Sequence, residues 1–415
     1  MSHPTATPAP PRPARSPPLE RTPPRMPVLP LDVVDLILDE CLSDHEPGHW
    51  NCAKALSLTC RALRERAQPV LWEYVYLPDM TRGWDSARLR AIYTTPRIAD
   101  MVTNVCWPIG VLDRTMPDWV LQRVEELFLA CRNISSVHIS HLEAVHFPRV
   151  LNAIGASDSR TTINTIQISA AYLPTDYRGL TEADLQLYLL SFPSLTSLSI
   201  NFFVNPSSLA SSELLNLRTF RFHTLPDRIV EPHTLYLSLL QSINPHTLRV
   251  FETSCTSHLD WLCRPGFTLD TLSLLIWPLT PPLLLPQLNH LLPFHPNLHR
   301  LRLQRFSAEY VPCEGSADLT ALCQILSILP PTLRYLELPF AINPETTPLQ
   351  QLITDSPCKR LVWLGCWNSA TEGPFYLERK DETADWRVVS TLFTPSPTGI
   401  QSFFHGLLLT ACFSS

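Results

Sequence analysis

The feature that most constrains the fold of this chain is a short apolar unit that recurs along most of its length. The unit has the pattern apolar-x-x-apolar-x-apolar, and its first positions are 21 to 35 residues apart in successive copies. Ten copies occur: Val102-Val105-Trp107, Ile134-Val137-Ile139, Ile163-Ile166-Ile168, Leu195-Leu198-Ile200, Leu217-Phe220-Phe222, Leu248-Phe251-Thr253, Leu269-Leu272-Leu274, Leu298-Leu301-Leu303, Leu333-Leu336-Leu338 and Leu361-Leu364-Cys366. Apolar alternation predicts one strand per copy, and near-regular recurrence predicts stacked repeats.

Helical patterns lie between several of these units. They comprise Val120, Leu121, Val124, Leu127 and Phe128; Leu185, Leu189 and Leu190, with Thr181 as N-cap and Asp184 three residues later; and Leu319, Leu322, Cys323 and Leu326. Neither one strand nor one helix can bury its apolar face alone, so stacked copies would share a core between a parallel sheet and a row of helices. The rival architecture, an α-solenoid, is disfavoured by the alternation before polar turns.

This arrangement resembles a leucine-rich-repeat array, although an irregular one, because the Asn or Cys expected after each strand is mostly absent. The resemblance implies an α/β solenoid with parallel strands on the concave face and helices on the convex face. We expect the solenoid over residues 95–368. Residues 369–415 lose the repeat, and we expect them to form a C-terminal cap or extension that includes Trp386, Val388 and Val389.

The N-terminus differs sharply in composition from the rest of the chain. Residues 1–27 carry ten prolines, four arginines and one acidic residue. Such a segment has too little apolar area to bury, so it predicts a disordered or polyproline-II-like tail.

Residues 28–77 predict a small all-α unit. Asp32 is a plausible N-cap, and the residues after it recur at helical spacing: Val34, Ile37, Leu38 and Cys41. A second helical pattern carries Ala55, Leu58, Ala62 and Leu63, and a third runs from Arg64 to Leu71 and into Trp72. Three small helices can hardly make a stable core alone, so the unit should need the following domain or a partner.

This unit resembles an F-box through the Leu29-Pro30 start, the segments 29–39 and 56–63, and the closing Val70-Leu71-Trp72. Leu63 and Thr59 depart from the family pattern. The resemblance implies that the unit binds a Skp-type adaptor, which joins a cullin scaffold in an SCF ubiquitin ligase. Carried over by position, the adaptor contacts are Leu29, Pro30, Leu71 and Trp72, and we add Val33 and Ile37, although the pattern does not divide the apolar residues of the first helix between core and interface.

Charge and motifs exclude several functional classes. The formal net charge is −6, which leaves no basic excess for a phosphate backbone, so we expect no nucleic-acid partner. No apolar run reaches the ~20 residues needed to span a bilayer. With no secretory signal and no CxxC pair, we expect an intracellular protein, cytoplasmic or nuclear.

No motif predicts catalysis. His45-Glu46-Pro47-Gly48-His49 matches the zinc-protease pattern by letter, but Pro47 and Gly48 would break the helix that the motif needs. No spacing of Cys52 and Cys60 with these histidines matches a zinc finger. We therefore expect neither an enzyme nor a metal or cofactor site.

Target recognition is predicted on the strand residues that face away from the core. Arg300, Arg302, Tyr335 and Trp363 come from three consecutive predicted strands, and Arg, Tyr and Trp are enriched at binding hot spots. The competing interpretation is a ladder of ion pairs that satisfy one another, with Arg302 opposite Glu337 and Arg221 opposite Glu252.

Two functions remain open. The first is a substrate-recognition subunit of an SCF-type ubiquitin ligase, in which the F-box binds the adaptor and the repeats bind a protein target. The second is a leucine-rich-repeat interaction scaffold that is not coupled to ubiquitination, in which the F-box-like segment is only an N-terminal cap.

Overall fold

The structure is a computed structural model of the chain. It describes residues 53–59, 61–78, 84, 86–109, 116–170, 180–201, 205, 207–222, 237–254, 258–276, 281–305, 311–312, 316–342, 353, 357–368, 373–382 and 385–389. The Pro-rich tail, the residues of the H-E-x-x-H match and the last 26 residues of the chain lie outside this part.

Strands of the described residues form one sheet, and nearly all of them run parallel to one another. The strands are β1 (Tyr74–Tyr76), β2 (Asn104–Pro108), β3 (Ser136–Leu142), β4 (Thr165–Ala170), β5 (Ser197–Asn201), β6 (Thr219–Phe222), β7 (Val250–Thr253), β8 (Thr271–Ile276), β9 (Arg300–Arg305), β10 (Val311–Pro312), β11 (Tyr335–Ile342), β12 (Trp363–Asn368), β13 (Gly373–Glu378) and β14 (Arg387–Val389). Their order in the sheet follows the chain, except that β10 pairs with β11 beside the main path. β1 to β12 pair in parallel, and β13 and β14 continue the sheet in antiparallel pairing.

The central residue of each repeat unit occupies one continuous row across the sheet. Register pairs run along Val105, Val137, Ile166, Leu198, Phe220, Phe251, Leu272, Leu301, Leu336 and Leu364. All thirty residues of the ten units are buried, including the weak third members Thr253 and Cys366. The predicted strands and the parallel sheet are therefore present.

Helices connect most of these strands. They are α1 (Arg61–Glu73), α2 (Ala87–Thr94), α3 (Pro96–Ala99), α4 (Asp118–Ala130), α5 (Phe147–Ala156), α6 (Glu182–Leu190), α7 (Leu237–Gln241), α8 (His258–Leu262), α9 (Pro281–Leu291) and α10 (Ser316–Ile328). Their buried residues join the inward row of the sheet in one hydrophobic core. The helices thus cover one face of the sheet, and we call the other face the open face.

Most helical predictions hold at the level of single residues. The five apolar residues predicted for α4 are its buried residues. Thr181 caps α6, and its capping box with Asp184 is complete. On α10, Leu322 and Leu326 are buried, but Cys323 is exposed, because it lies on the solvent side of that helix.

The predicted helices before β1 are partly wrong. Residues 53–57 are helical, but Ala62 and Leu63 belong to α1, which runs on through Pro69 to Glu73. Leu58 is exposed in the break between the two helices, because the turn at 58–59 removes it from a helical apolar face. α1 leads directly into β1, so this helix is joined to the first strand of the sheet.

The C-terminal end of the array is closed by an arginine. The Arg379 guanidinium donates to the carbonyl oxygens of Leu361, Lys359 and Glu382, and it lies 4.9 Å from the ring of Trp386. Trp386 in turn packs against the core. β13 and β14 therefore extend the sheet while Trp386 covers part of its end.

Candidate functional site

The open face is built from the residues that lie between the buried positions of each strand. Because side chains alternate along a strand, these residues point away from the helices, and most of them are half-exposed. The constant register places them in two rows, one through Thr271, Arg300, Tyr335 and Trp363, and the other through Ser273, Arg302, Glu337 and Gly365.

Arg300, Tyr335 and Trp363 are direct neighbours in the first row, as the repeat spacing predicted. Arg300 is register-paired with Tyr335, and Tyr335 with Trp363. The Arg300 guanidinium lies 4.6 Å from the centre of the Tyr335 ring, which is cation–π geometry. Burial lowers the pKa of Arg300, and the nearby Arg302 lowers it further. We call the surface formed by Arg300, Tyr335, Trp363 and Tyr376 the Arg300 patch.

Arg302 is committed to a neighbour. Its Nε donates to Oε2 of Glu337 at 2.9 Å across the strands, and both side chains are about a quarter exposed. Arg221 and Glu252 form a second cross-strand ion pair at 3.3 Å, which is outside hydrogen-bond geometry. The ladder interpretation is thus correct for these two pairs, and Arg300 remains distinct from Arg302.

Trp363 lies against the sheet, and two residues that sequence reasoning missed explain why. A methyl group at Gly365 would lie 2.5 Å from Cη2 of Trp363, so the ring covers a position where any other residue would collide with it. Tyr376 of β13 pairs with Gly365, and its ring centre is 5.3 Å from that of Trp363. Burial raises the pKa of Tyr376, and so does the charge of Glu337. The antiparallel β13 lies beyond the last repeat, so the repeat pattern carried no signal for Tyr376.

The N-terminal strands offer smaller side chains on the same face. Five of them lie in two adjacent rows: Ser136, Thr165, Gln167, Ser197 and Ser199. His138, which was not predicted, places Nε2 2.9 Å from Oγ of Ser136. Burial lowers the pKa of His138, and the charge of Arg221 adds to this effect.

Cys106 is the register partner of His138, but it is a poor nucleophile. Burial raises the pKa of its thiol to about 11, so it is protonated at neutral pH. Ser136, His138 and Cys106 therefore form a polar part of the open face, and Cys106 is not an activated nucleophile.

Of the six candidate adaptor contacts, the structure describes only Leu71 and Trp72. Leu29, Pro30, Val33 and Ile37 lie outside the described residues. Leu71 and Trp72 are half-buried in α1, and Trp72 packs against the core. Arg88 of α2 lies 5.2 Å from the Trp72 ring and donates to the carbonyl oxygens of Leu71 at 2.6 Å and Tyr74 at 2.7 Å. The end of α1 is thus tied to α2 and to β1.

The described residues contain neither a metal-binding cluster nor a membrane-spanning helix. In these ranges, no three His, Cys, Asp or Glu side chains come close enough together to hold a metal ion. None of the helices in the same ranges combines the length and the apolar character needed to cross a membrane.

Comparison of the chain with models of known protein families gives no match, and no curated protein is significantly similar to it.

Proposed function

We propose that the chain is the substrate-recognition subunit of an SCF-type ubiquitin ligase, acting inside the cell. In this proposal the F-box-like segment 28–77 binds a Skp-type adaptor and through it a cullin. The remaining strands and helices form a leucine-rich-repeat-like solenoid with the open face on its concave side. The chain acts here without catalysing a step itself: it accelerates ubiquitination by raising the effective concentration of target lysines near the conjugating enzyme.

The observation that carries the target-binding half of the proposal is the Arg300 patch. Arg, Tyr and Trp are enriched among the few residues that carry most of the binding energy at protein interfaces, and here they are neighbours on three paired strands. Arg302, Tyr335 and Trp363 are half-buried beside Arg300, so the surface is already held in place before any partner binds.

One observation favours the alternative, an interaction scaffold that is not coupled to ubiquitination. Trp72 packs against the core and is flanked by Arg88. A helix that only caps the first strand of the sheet needs Trp72 to pack against the core. A tryptophan that anchors an adaptor does not need this packing. Trp72→Ala alone therefore cannot separate the two functions, because it removes core packing in both.

The decisive experiment is capture of a purified Skp-type adaptor by the full chain. Wild type should bind, and the double variant Leu29→Ala/Pro30→Ala should lose at least about tenfold in affinity while its melting temperature is unchanged. Arg88→Ala is the matched control for damage to the end of α1, since it removes the hydrogen bonds to Leu71 and Tyr74.

In the receptor function, Arg300→Ala/Trp363→Ala should retain the adaptor and lose the targets. Failure of the wild-type chain to bind the adaptor would favour the scaffold and reject the ligase proposal.

A further inference from the structure

We infer that the Arg300 patch binds an extended acidic peptide segment, in which an internal Asp or Glu side chain pairs with Arg300 and an apolar ring two residues away, Pro or aromatic, stacks on Trp363. The inference rests on the proposed target-binding function of this face, and it names the chemical class of the target. It is tested without adaptor or ligase, so its failure is distinguishable from failure of the ligase proposal.

Two arginines of β9 differ in the partners of their guanidinium groups. Arg302 is held by Glu337 at 2.9 Å. Arg300 has no acidic oxygen within ion-pair distance in the part of the chain that the structure describes; the charge of Glu337 acts on it from further away, and its guanidinium is stacked on Tyr335. A stacked, partly desolvated guanidinium keeps its edge N–H donors for a planar anion such as a carboxylate.

The second step is the charge of this part of the open face. Arg300, Arg302 and Arg387 carry three positive charges, and Glu337 and Glu378, the register neighbour of Trp363, carry two negative ones, so the sum is +1. That balance complements one carboxylate, whereas a phosphate group brings −1.5 to −2 at pH 7 and would leave the site negative. We therefore assign the anion to an Asp or Glu side chain rather than to a phosphorylated residue.

The third step is the orientation of Trp363. Its six-membered ring passes over Gly365, since a methyl group there would meet Cη2 at 2.5 Å, Cζ3 at 3.0 Å and Cζ2 at 3.3 Å. The tip of the ring is thus held at the sheet, and Tyr376 flanks the ring with the two ring planes 31° apart. Trp363 is half-exposed, so part of its ring is open to a flat apolar group of a partner.

The distance between the two contacts sets the spacing in the peptide. β9 and β12 are separated by two strand spacings of ~4.8 Å, and the 4.6 Å between the Arg300 guanidinium and the Tyr335 ring centre keeps about one full spacing between those two side chains. A gap of ~9.6 Å is spanned by two positions of an extended chain together with the ~3 Å reach of an acidic side chain. Residues two apart in an extended chain lie ~6.6 Å from each other and point to the same side. This matches an acidic residue at one position and the ring two residues away.

The residues beyond Arg300 argue for an internal acidic residue rather than a chain terminus. On the side away from Tyr335, the row continues through Thr271 and Val250, which are smaller than Arg300 and half-buried. No large side chain of the described row blocks the path there, so a bound chain is free to continue past Arg300 in that direction.

Peptide display tests the motif directly. A random twelve-residue library is selected on the purified full chain, and in parallel on Arg300→Ala and on Gly365→Ala. We expect wild type to enrich Asp or Glu two positions from Pro, Phe, Tyr or Trp, and both variants to lose this enrichment. No enriched motif on wild type, or the same motif on Arg300→Ala, would overturn the inference.

The strongest enriched peptide is then measured in solution by fluorescence anisotropy. Arg300→Ala should weaken binding by about tenfold to hundredfold, as expected for a lost charge-assisted hydrogen bond. Gly365→Ala should weaken binding by about threefold to tenfold, because the added methyl group displaces the Trp363 ring. Every side chain of the Arg300 patch keeps its chemical identity in this variant. Equal affinity of wild type and both variants would reject the site.

Matched controls separate the site from general damage. Arg334→Ala removes an exposed arginine next to β11, and Gly155→Ala adds a methyl group on α5, and neither should change the affinity. Circular dichroism should show that each variant is folded at the temperature of the binding measurement. An amidated peptide C-terminus should bind equally well, and tenfold tighter binding of a phosphoserine peptide would overturn the assignment to a carboxylate.

Discussion

At the scale of the residue, the neighbours across the strands decide what a side chain of the open face can do. Arg300 and Arg302 are the same residue type, two positions apart on β9, and point to the same side. Tyr335 stacks on the first, whereas Glu337 neutralises the second. Binding capacity on this face therefore depends on the pairing register as much as on residue type.

The buried His295 should contribute strongly to the acid sensitivity of the fold. His295 is 1% exposed, and neither ring nitrogen has a hydrogen-bond partner among the described residues. Burial lowers its pKa from 6.5 to about 4. The unfolded chain therefore binds this proton first, so the stabilising contribution is complete above about pH 6.5 and is lost as pH falls towards 4.

The measurement is urea unfolding of wild type and His295→Leu between pH 7.5 and 4.5. Across the full window, wild type should lose up to about 3 kcal/mol more than the variant. His299→Leu, at an exposed position four residues away, is the control. Parallel pH curves for wild type and His295→Leu would contradict this prediction.

At the scale of the element, α6 shows how one repeat is fastened to the next. Its buried Glu182 accepts a hydrogen bond at 2.7 Å from the backbone N–H of Leu239, near the start of α7. Its buried Gln186 bonds the backbone at Ala210, Ser211 and Glu213. The helix thus holds both the segment that leads to β6 and the helix that follows β6.

The start of α6 depends on one hydroxyl group. Thr181 accepts from the Asp184 backbone N–H at 3.1 Å, and the Asp184 carboxylate accepts from the Thr181 backbone N–H at 3.1 Å. Thr181→Ala should lower the free energy of unfolding by about 1 kcal/mol. Thr181→Ser keeps the hydroxyl group and should restore most of it in the same urea titration. An unchanged midpoint in Thr181→Ala would exclude a stabilising role for the cap.

Elements differ in how far the sequence predicts them. The repeat strands were predictable because each buried row, such as Leu298, Leu301 and Leu303, is apolar at fixed spacing. The start of α1 was not, because the apolar spacing assigns Ala62 and Leu63 to the preceding helix, whereas that helix ends before the turn at 58–59 and α1 begins at Arg61. Tyr376 and Gly365 were missed because their roles arise from an antiparallel strand and a ring collision, and neither has a local sequence pattern.

At the scale of the whole molecule, the sheet joins neighbours in sequence and lacks pairing between distant strands in the described residues. Each strand therefore depends on the two beside it, and cooperativity must pass through every interface in turn. The central strands couple the unfolding of the two halves of the array. A core substitution at the centre and one at an end should therefore have different effects on the unfolding transition.

Phe251 in β7 tests this dependence. Its ring is fully buried, 5.8 Å from Phe220 and 5.6 Å from Trp261 by ring centres. Phe251→Ala should cost about 3 to 5 kcal/mol and split the urea transition seen by circular dichroism into two. Leu364→Ala, near the C-terminal end, should shift the transition without splitting it. A single sharp transition for Phe251→Ala would show that the array unfolds as one unit.

The reversal of strand direction at β13 has a consequence for how this architecture can change in length. A further parallel repeat cannot be added where an antiparallel strand already occupies the edge of β12. Copies gained or lost by duplication must therefore fall upstream of β13, and those that leave the Arg300 patch intact fall between α1 and β9. Each one would move the helical N-terminal segment by ~4.8 Å relative to the Arg300 patch. Copy number would thus adjust the reach of the molecule while the composition of its far end stays the same.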